Sequence, residues 1–105
     1  MKNLLLLIIL KIIQNLKAEG KEIAGFIGES MVSCGGQIVP PSNYFKEVYK
    51  HVHKAGGICI ADEVQTGTGR TGQLLACDYD KVKPHILILG KALSGGVYPV
   101  SAVLA

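Results

Sequence analysis

Three charged residues each stand at the end of a short apolar run. Glu29 sits in GFIGES, Asp62 in ICIADEVQTG, and Lys91 in ILILGKALSGG. If the runs are parallel strands, their carboxyl ends converge on one rim, where open α/β folds bind ligands. An acid and an amine on neighbouring strands of that rim could touch one ligand from two sides. An amine among apolar strands is costly to keep charged, which favours a nucleophile toward carbonyls. A buried carboxylate nearby can hold a proton on a ring nitrogen. Spacing alone leaves an ordinary alternative open, an exposed loop lysine and an aspartate capping a turn.

The elements that must position these residues can be read from apolar patterning. Asn3 to Lys17 reads as a helix ended by Gly20. Ala24–Gly28, Ile58–Ala61 and Ile86–Leu89 are short, fully apolar runs, the pattern of buried strands. Met31 to Pro41, with paired Gly and paired Pro, predicts loop. Ser42 is a candidate N-cap for a helix carrying Phe45, Val48, Tyr49 and Val52 at helical spacing, closed by Gly56 and Gly57. Glu63–Gly72 and Gly90–Tyr98 read as loops, and Val100–Leu104 as a last strand running to the end of the sequence. The expected fold class is α/β, a mostly parallel sheet covered on both faces. The link between the last two strands is too short for a helical crossover, so that pair should be antiparallel. No closing helix follows, the pattern of a domain cut short. The expected organisation is an N-terminal helix over 1–19 and a partial ligand-binding domain over 20–105.

Bulk properties exclude several classes. The chain has 105 residues, 49% of them hydrophobic, enough for one core. A net charge of +3 is too mild to imply nucleic acid. Arg70 is the only arginine, so a guanidinium fork for a substrate carboxylate is limited to one. Cys34, Cys59 and Cys77 are odd in number and widely spaced, which predicts free thiols in a reducing compartment. His51 and His53 lack the i, i+4 spacing of a helical metal pair, so no metal is expected, and both should face solvent on a helix. Leu4–Leu10 is too short for a membrane span, which needs about 20 residues. It reads first as a buried or altered helix, with a targeting segment or an anchor as the other options, and no membrane partner is expected. GTGRTG, Gly67 to Gly72, matches GxGxxG, but it does not directly follow the strand and no acid lies downstream at the right distance. Gly90-Lys91 is not a P-loop, because the earlier glycine is missing and Ala92 replaces Ser or Thr.

Pyridoxal phosphate is the cofactor whose chemistry needs both groups, a lysine for its aldehyde and an acid for its ring nitrogen. Asp62 and Lys91 supply them. The pair ADEVQTGTGRTG and LGKALSGG resembles the signature of the class-III pyridoxal-phosphate-dependent aminotransferases, and the resemblance runs from about Gly20 to Ala105. It implies a fold-type-I large domain, a homodimer with its sites at the subunit interface, and a small amine or amino acid as substrate. It implies that Lys91 is the Schiff-base lysine, that Asp62 partners the ring nitrogen, that Val64 packs on the ring face and that Gln65 bonds the ring hydroxyl. Glu29 matches a family acid near cofactor and substrate. The lysine strand is expected between the final strand and the first.

The stretch from Gly72 to Ala105 is similar to ornithine aminotransferase, and the stretch from Phe26 to Gln65 is closer to phospho-lyases acting on phosphoethanolamine or phosphohydroxylysine. Cys34 stands where the ornithine enzymes carry an acid, Thr68 where the family has a large apolar residue, and His85 where it has Asp. The family's phosphate-binding turn, stacking aromatic, partner-subunit Ser/Thr loop and carboxylate-binding Arg have no counterpart in the sequence. Three functions remain at this point: ornithine-like transamination in a chain that binds cofactor weakly alone, phosphate elimination, and a non-catalytic product. The compartment is expected to be mitochondrial or cytoplasmic.

Overall fold

The computed structural model describes residues 4–105. The elements in chain order are α1 (Leu4–Ala18), β1 (Gly25–Glu29), α2 (Tyr44–Lys54), β2 (Ile58–Asp62), β3 (Ile86–Leu89) and β4 (Ala102–Leu104). Two short 3-10 turns, Ala76–Asp80 and Lys91–Ser94, lie on either side of β3. The expected start of α1 at Asn3 lies outside the described residues.

The four strands form one sheet in the order β1-β2-β3-β4. β1 and β2 are parallel, β2 and β3 are parallel, and β3 and β4 are antiparallel. The mixed sheet and its antiparallel last pair follow the sequence reading. One expectation fails: β3, which precedes the lysine, lies between β2 and β4 and not between the last strand and the first. The pairing of Ile60, Ala61 and Asp62 with Ile86, Leu87 and Ile88 takes that place. Three strands also differ in their bounds, β2 by running one residue further, to Asp62. β1 runs one residue later than expected, with Ala24 outside the strand yet accepting the Ile58 N–H at 3.1 Å. β4 begins at Ala102, not Val100, because only Ala102, Val103 and Leu104 find partners on β3.

The core lies on one face of the sheet. Strand residues alternate between faces, so Phe26 and Cys59, which are register partners, point the same way. There they meet Phe45, Val48, Tyr49 and Val52 of α2, of which Val48 and Val52 are wholly buried. Burying each such valine stabilises by roughly 1.5–3 kcal/mol. α1 adds Leu6, Ile9 and Ile13 to the same cluster. The opposite face carries Ile27, Ile58 and Val103, exposed by 58%, 40% and 68%. The sheet is therefore covered on one face among the described residues, not on both, because α1 and α2 share one side.

The start of α2 corrects another expectation. Asn43, not Ser42, occupies the N-cap, in a left-handed conformation (φ 65°) and without a side-chain cap bond. The free N–H groups are taken from a distance. Asp80 accepts the Asn43 N–H and the Phe45 N–H, each at 2.8 Å. A carboxylate at a helix N-terminus also meets the favourable end of the helix dipole.

Candidate active site

The parallel register places the acids side by side. Glu29 pairs with Asp62 across β1 and β2, and Asp62 pairs with Ile88 on β3. Glu29 and Asp62 are the last residues of their strands, and Lys91 follows the end of β3 through Gly90. The five residues expected at the site, Glu29, Asp62, Val64, Gln65 and Lys91, are thus gathered at one rim of the sheet.

The amine is aimed by an unusual backbone. Lys91 has φ 43°, in the left-handed region, which costs a non-glycine residue about 1–2 kcal/mol. The Lys91 amine donates a hydrogen bond to Gln65 Oε1. Gly90 brings the chain close to the loop after β2: a Cβ there would sit 3.3 Å from Val64 Cγ1. Lys91 is exposed, so the burial that the sequence reading invoked for its amine is not present.

Asp62 is held through its own loop. Its Oδ1 accepts the Val64 N–H at 3.1 Å, and Oδ2 has no hydrogen bond from the described residues. Glu29 is held through Oε2, which accepts the Ser33 hydroxyl at 2.7 Å and the Ser33 N–H at 2.9 Å. The Ser33 hydroxyl, then the Ser33 N–H, hold the Glu29 carboxyl below its ordinary range against the opposing effect of burial, and the Lys91 charge adds to the lowering.

The sequence reading missed the residue that fixes this rim. Glu63 was read as the first residue of a loop, yet it is 1% exposed. Its Oε1 accepts the Ser30 hydroxyl and the Cys77 N–H, the latter at 2.8 Å. Its Oε2 accepts the Thr66 hydroxyl at 2.7 Å and the Ala76 N–H at 2.9 Å. One carboxylate thus ties the end of β1, the loop after β2 and the turn at Ala76 together. A buried charge persists only when its hydrogen bonds are satisfied. The available signal was an acid at the end of an apolar strand, followed by a loop rich in hydroxyls. Gly67 closes the same loop: a Cβ there would stand 2.8 Å from the Glu63 carbonyl oxygen and 2.9 Å from Leu89 Cδ2. Asp62, Val64 and Gln65 all hang from the backbone that Glu63 and Gly67 fix.

A family model for class-III aminotransferases matches residues 2–105. The chain is 51% identical over 89 residues to the mitochondrial ornithine aminotransferase of Arabidopsis thaliana, covering 85% of this chain and 19% of that protein. Among solved structures, an ornithine aminotransferase from Plasmodium yoelii superposes with TM-score 0.82 at 46% identity, over 92% of this chain and 25% of that one. An acetylornithine aminotransferase from Elizabethkingia anophelis gives TM-score 0.83 at 48% identity, over 92% of this chain and 24% of that one. The chain therefore spans about a fifth to a quarter of the length of these relatives. The 89-residue match reaches across both halves of the chain, so the likeness of its first half to phospho-lyases finds no support. By its matched length and its fold, this chain belongs to the class-III aminotransferase family.

Proposed function

We propose that the chain supplies the cofactor-lysine segment of a pyridoxal-phosphate-dependent aminotransferase acting on an ornithine-like amino acid. The single observation that carries the reading is the rim on which Lys91, Gln65, Asp62 and Glu29 lie together. The donor set fits the cofactor. Lys91 offers an amine, Asp62 an oxygen without a protein partner, and Gln65 an amide already bonded to the lysine. When bound, pyridoxal phosphate supplies an electron sink for the bond changes at the substrate's amine-bearing carbon. Lys91 would hold the group at its aldehyde end and would carry protons at the substrate carbon. Asp62 Oδ2 would hold the proton on the ring nitrogen. Gln65 would orient the amine and the ring hydroxyl, and Val64 would limit the ring face. Glu29 lends negative charge beside Lys91, where an incoming ammonium would approach. The compartment of the Arabidopsis relative, and a homodimer as the working assembly, are part of the same proposal.

Cofactor affinity, read by absorbance titration with pyridoxal phosphate of a full-length enzyme carrying this segment, tests the assignment. Asp62→Asn should weaken binding about tenfold or more, the worth of a charge-assisted hydrogen bond. Unchanged affinity in both Asp62→Asn and Lys91→Ala would overturn it. The substrate is read by which compound converts bound cofactor to its amine form. Ornithine should lead, and phosphate release from phosphoethanolamine would point to elimination instead.

A further inference from the structure

α2 carries a basic stripe that the cofactor rim does not use. Lys46, Lys50 and His53 recur at i, i+4 and i+7 and so share one side of the helix. Lys83 and His85, two residues apart on the run into β3, face that stripe. Together with Tyr49 they line one cavity of about 370 Å³. No carboxylate lines it among the described residues. Two acids stand nearby, and one of them already meets a cavity lysine. Glu47 lies 3.8 Å from Lys50 Nζ and 4.0 Å from His51 Nε2, and Asp80 accepts the Asn43 and Phe45 N–H groups.

The two imidazoles are placed by the fold. Their rings stack with centroids 5.3 Å apart and an interplanar angle of 20°. His85 Nδ1 accepts the Cys59 N–H at 3.0 Å, and the His85 N–H returns to the Cys59 carbonyl at 2.8 Å. With Nδ1 serving as acceptor, the ring proton of His85 sits on Nε2, which is left as a donor. The cavity is thus lined by three lysines, the imidazole held by Cys59 and a second imidazole. It lies at the start of β3, whereas Lys91 follows its end.

We propose that this cavity is an anion site that takes a phosphate dianion, either the free ion or the phosphate of a small ester. Ammonium groups act as point charges that suit a compact multivalent anion. A singly charged carboxylate would leave most of them unanswered. The site stands independently of the aminotransferase reading.

The test is histidine ring-proton NMR of the 105-residue chain, titrated at constant ionic strength with inorganic phosphate and, separately, with glycerol 3-phosphate. The His53 and His85 signals should move saturably with at least one of them. The His51 signal should move less than the other two, since His51 lines a different cavity and touches this one only through the Glu47 it shares with Lys50. Lys50→Gln combined with Lys83→Gln, both at exposed positions, should weaken binding about tenfold, as expected for two partly exposed ionic contacts. The tighter of the two ligands identifies the source of the phosphate. Overturning results are an unsaturable drift shared by all three histidines, no shift with either ligand, or equal affinity in a double variant whose circular dichroism matches wild type.

Discussion

The Lys91 amine donates to the side-chain carbonyl of Gln65, joining the loop after β3 to the loop after β2. The two residues are 26 apart in sequence, and the parallel pairing of β2 with β3 is what brings them together. The same pairing sets Asp62 beside Ile88, three residues before Lys91.

Glu63 should be the most sensitive polar position in the chain. Replacing it by Ala leaves two backbone N–H groups and two hydroxyls without their acceptor. Loss of a buried, multiply bonded charge costs about 3–5 kcal/mol. Urea denaturation followed by circular dichroism should show Glu63→Ala largely unfolded or near its midpoint without denaturant. A shift in stability below about 1 kcal/mol would show that the network carries little.

Helix α2 offers a paired test of capping. Asp80→Ala should cost about 1–2 kcal/mol, because it removes the acceptor for two helix-end N–H groups. Ser42→Ala should change stability by less than about 0.5 kcal/mol. Equal costs at the two positions, measured by denaturant midpoint, would contradict the arrangement.

Glu29 gives a pH prediction. Its carboxyl titrates below the ordinary 4.5, chiefly because of Ser33. A depressed folded-state value means that the unfolded chain binds the proton more readily. The stabilisation from Glu29 is therefore full above about pH 4.5 and is lost as pH falls through the depressed value. Ser33→Ala should raise the Glu29 titration midpoint, so that the acid-side loss begins at higher pH. Carboxyl-carbon NMR reads this directly. Lys91→Ala should raise the midpoint less, since the lysine charge is the smaller cause.

The three thiols should separate cleanly. Cys34 is exposed, and Cys59 and Cys77 are buried. Burial raises the Cys59 thiol, and burial with the Glu63 charge pushes Cys77 up to about 12. Thiolate is the reactive form, so iodoacetamide on the native chain should alkylate Cys34 alone, with the other two reacting only in denaturant. Equal labelling of all three, read by mass spectrometry, would contradict the buried placements.

The sheet was legible because its strands are short apolar runs bounded by glycine and polar residues, and β3 was placed to the residue. The antiparallel turn into β4 followed from loop length alone. Glu29, Asp62 and Lys91 were legible as strand-end charges. The rest depended on tertiary contacts with no local sequence pattern. Asp80 caps a helix 35 residues away from it, so the local candidate Ser42 looked better than it is. Glu63 draws donors from positions 30, 66, 76 and 77, which no periodicity links. His53 is solvent-facing on α2, as its spacing predicts, but its stack on His85, just before β3, has no local sequence pattern.

The central claim is that Lys91, among the ten lysines of the chain, is the one that takes the cofactor. The direct measurement is borohydride trapping with pyridoxal phosphate of a full-length enzyme carrying this segment, followed by peptide mass mapping of the fixed pyridoxyl label. The account predicts label concentrated on Lys91, reduced by Asp62→Asn and absent from that peptide in Lys91→Ala. Label spread evenly over the exposed lysines, or concentrated on another lysine while Lys91 stays bare, would contradict it.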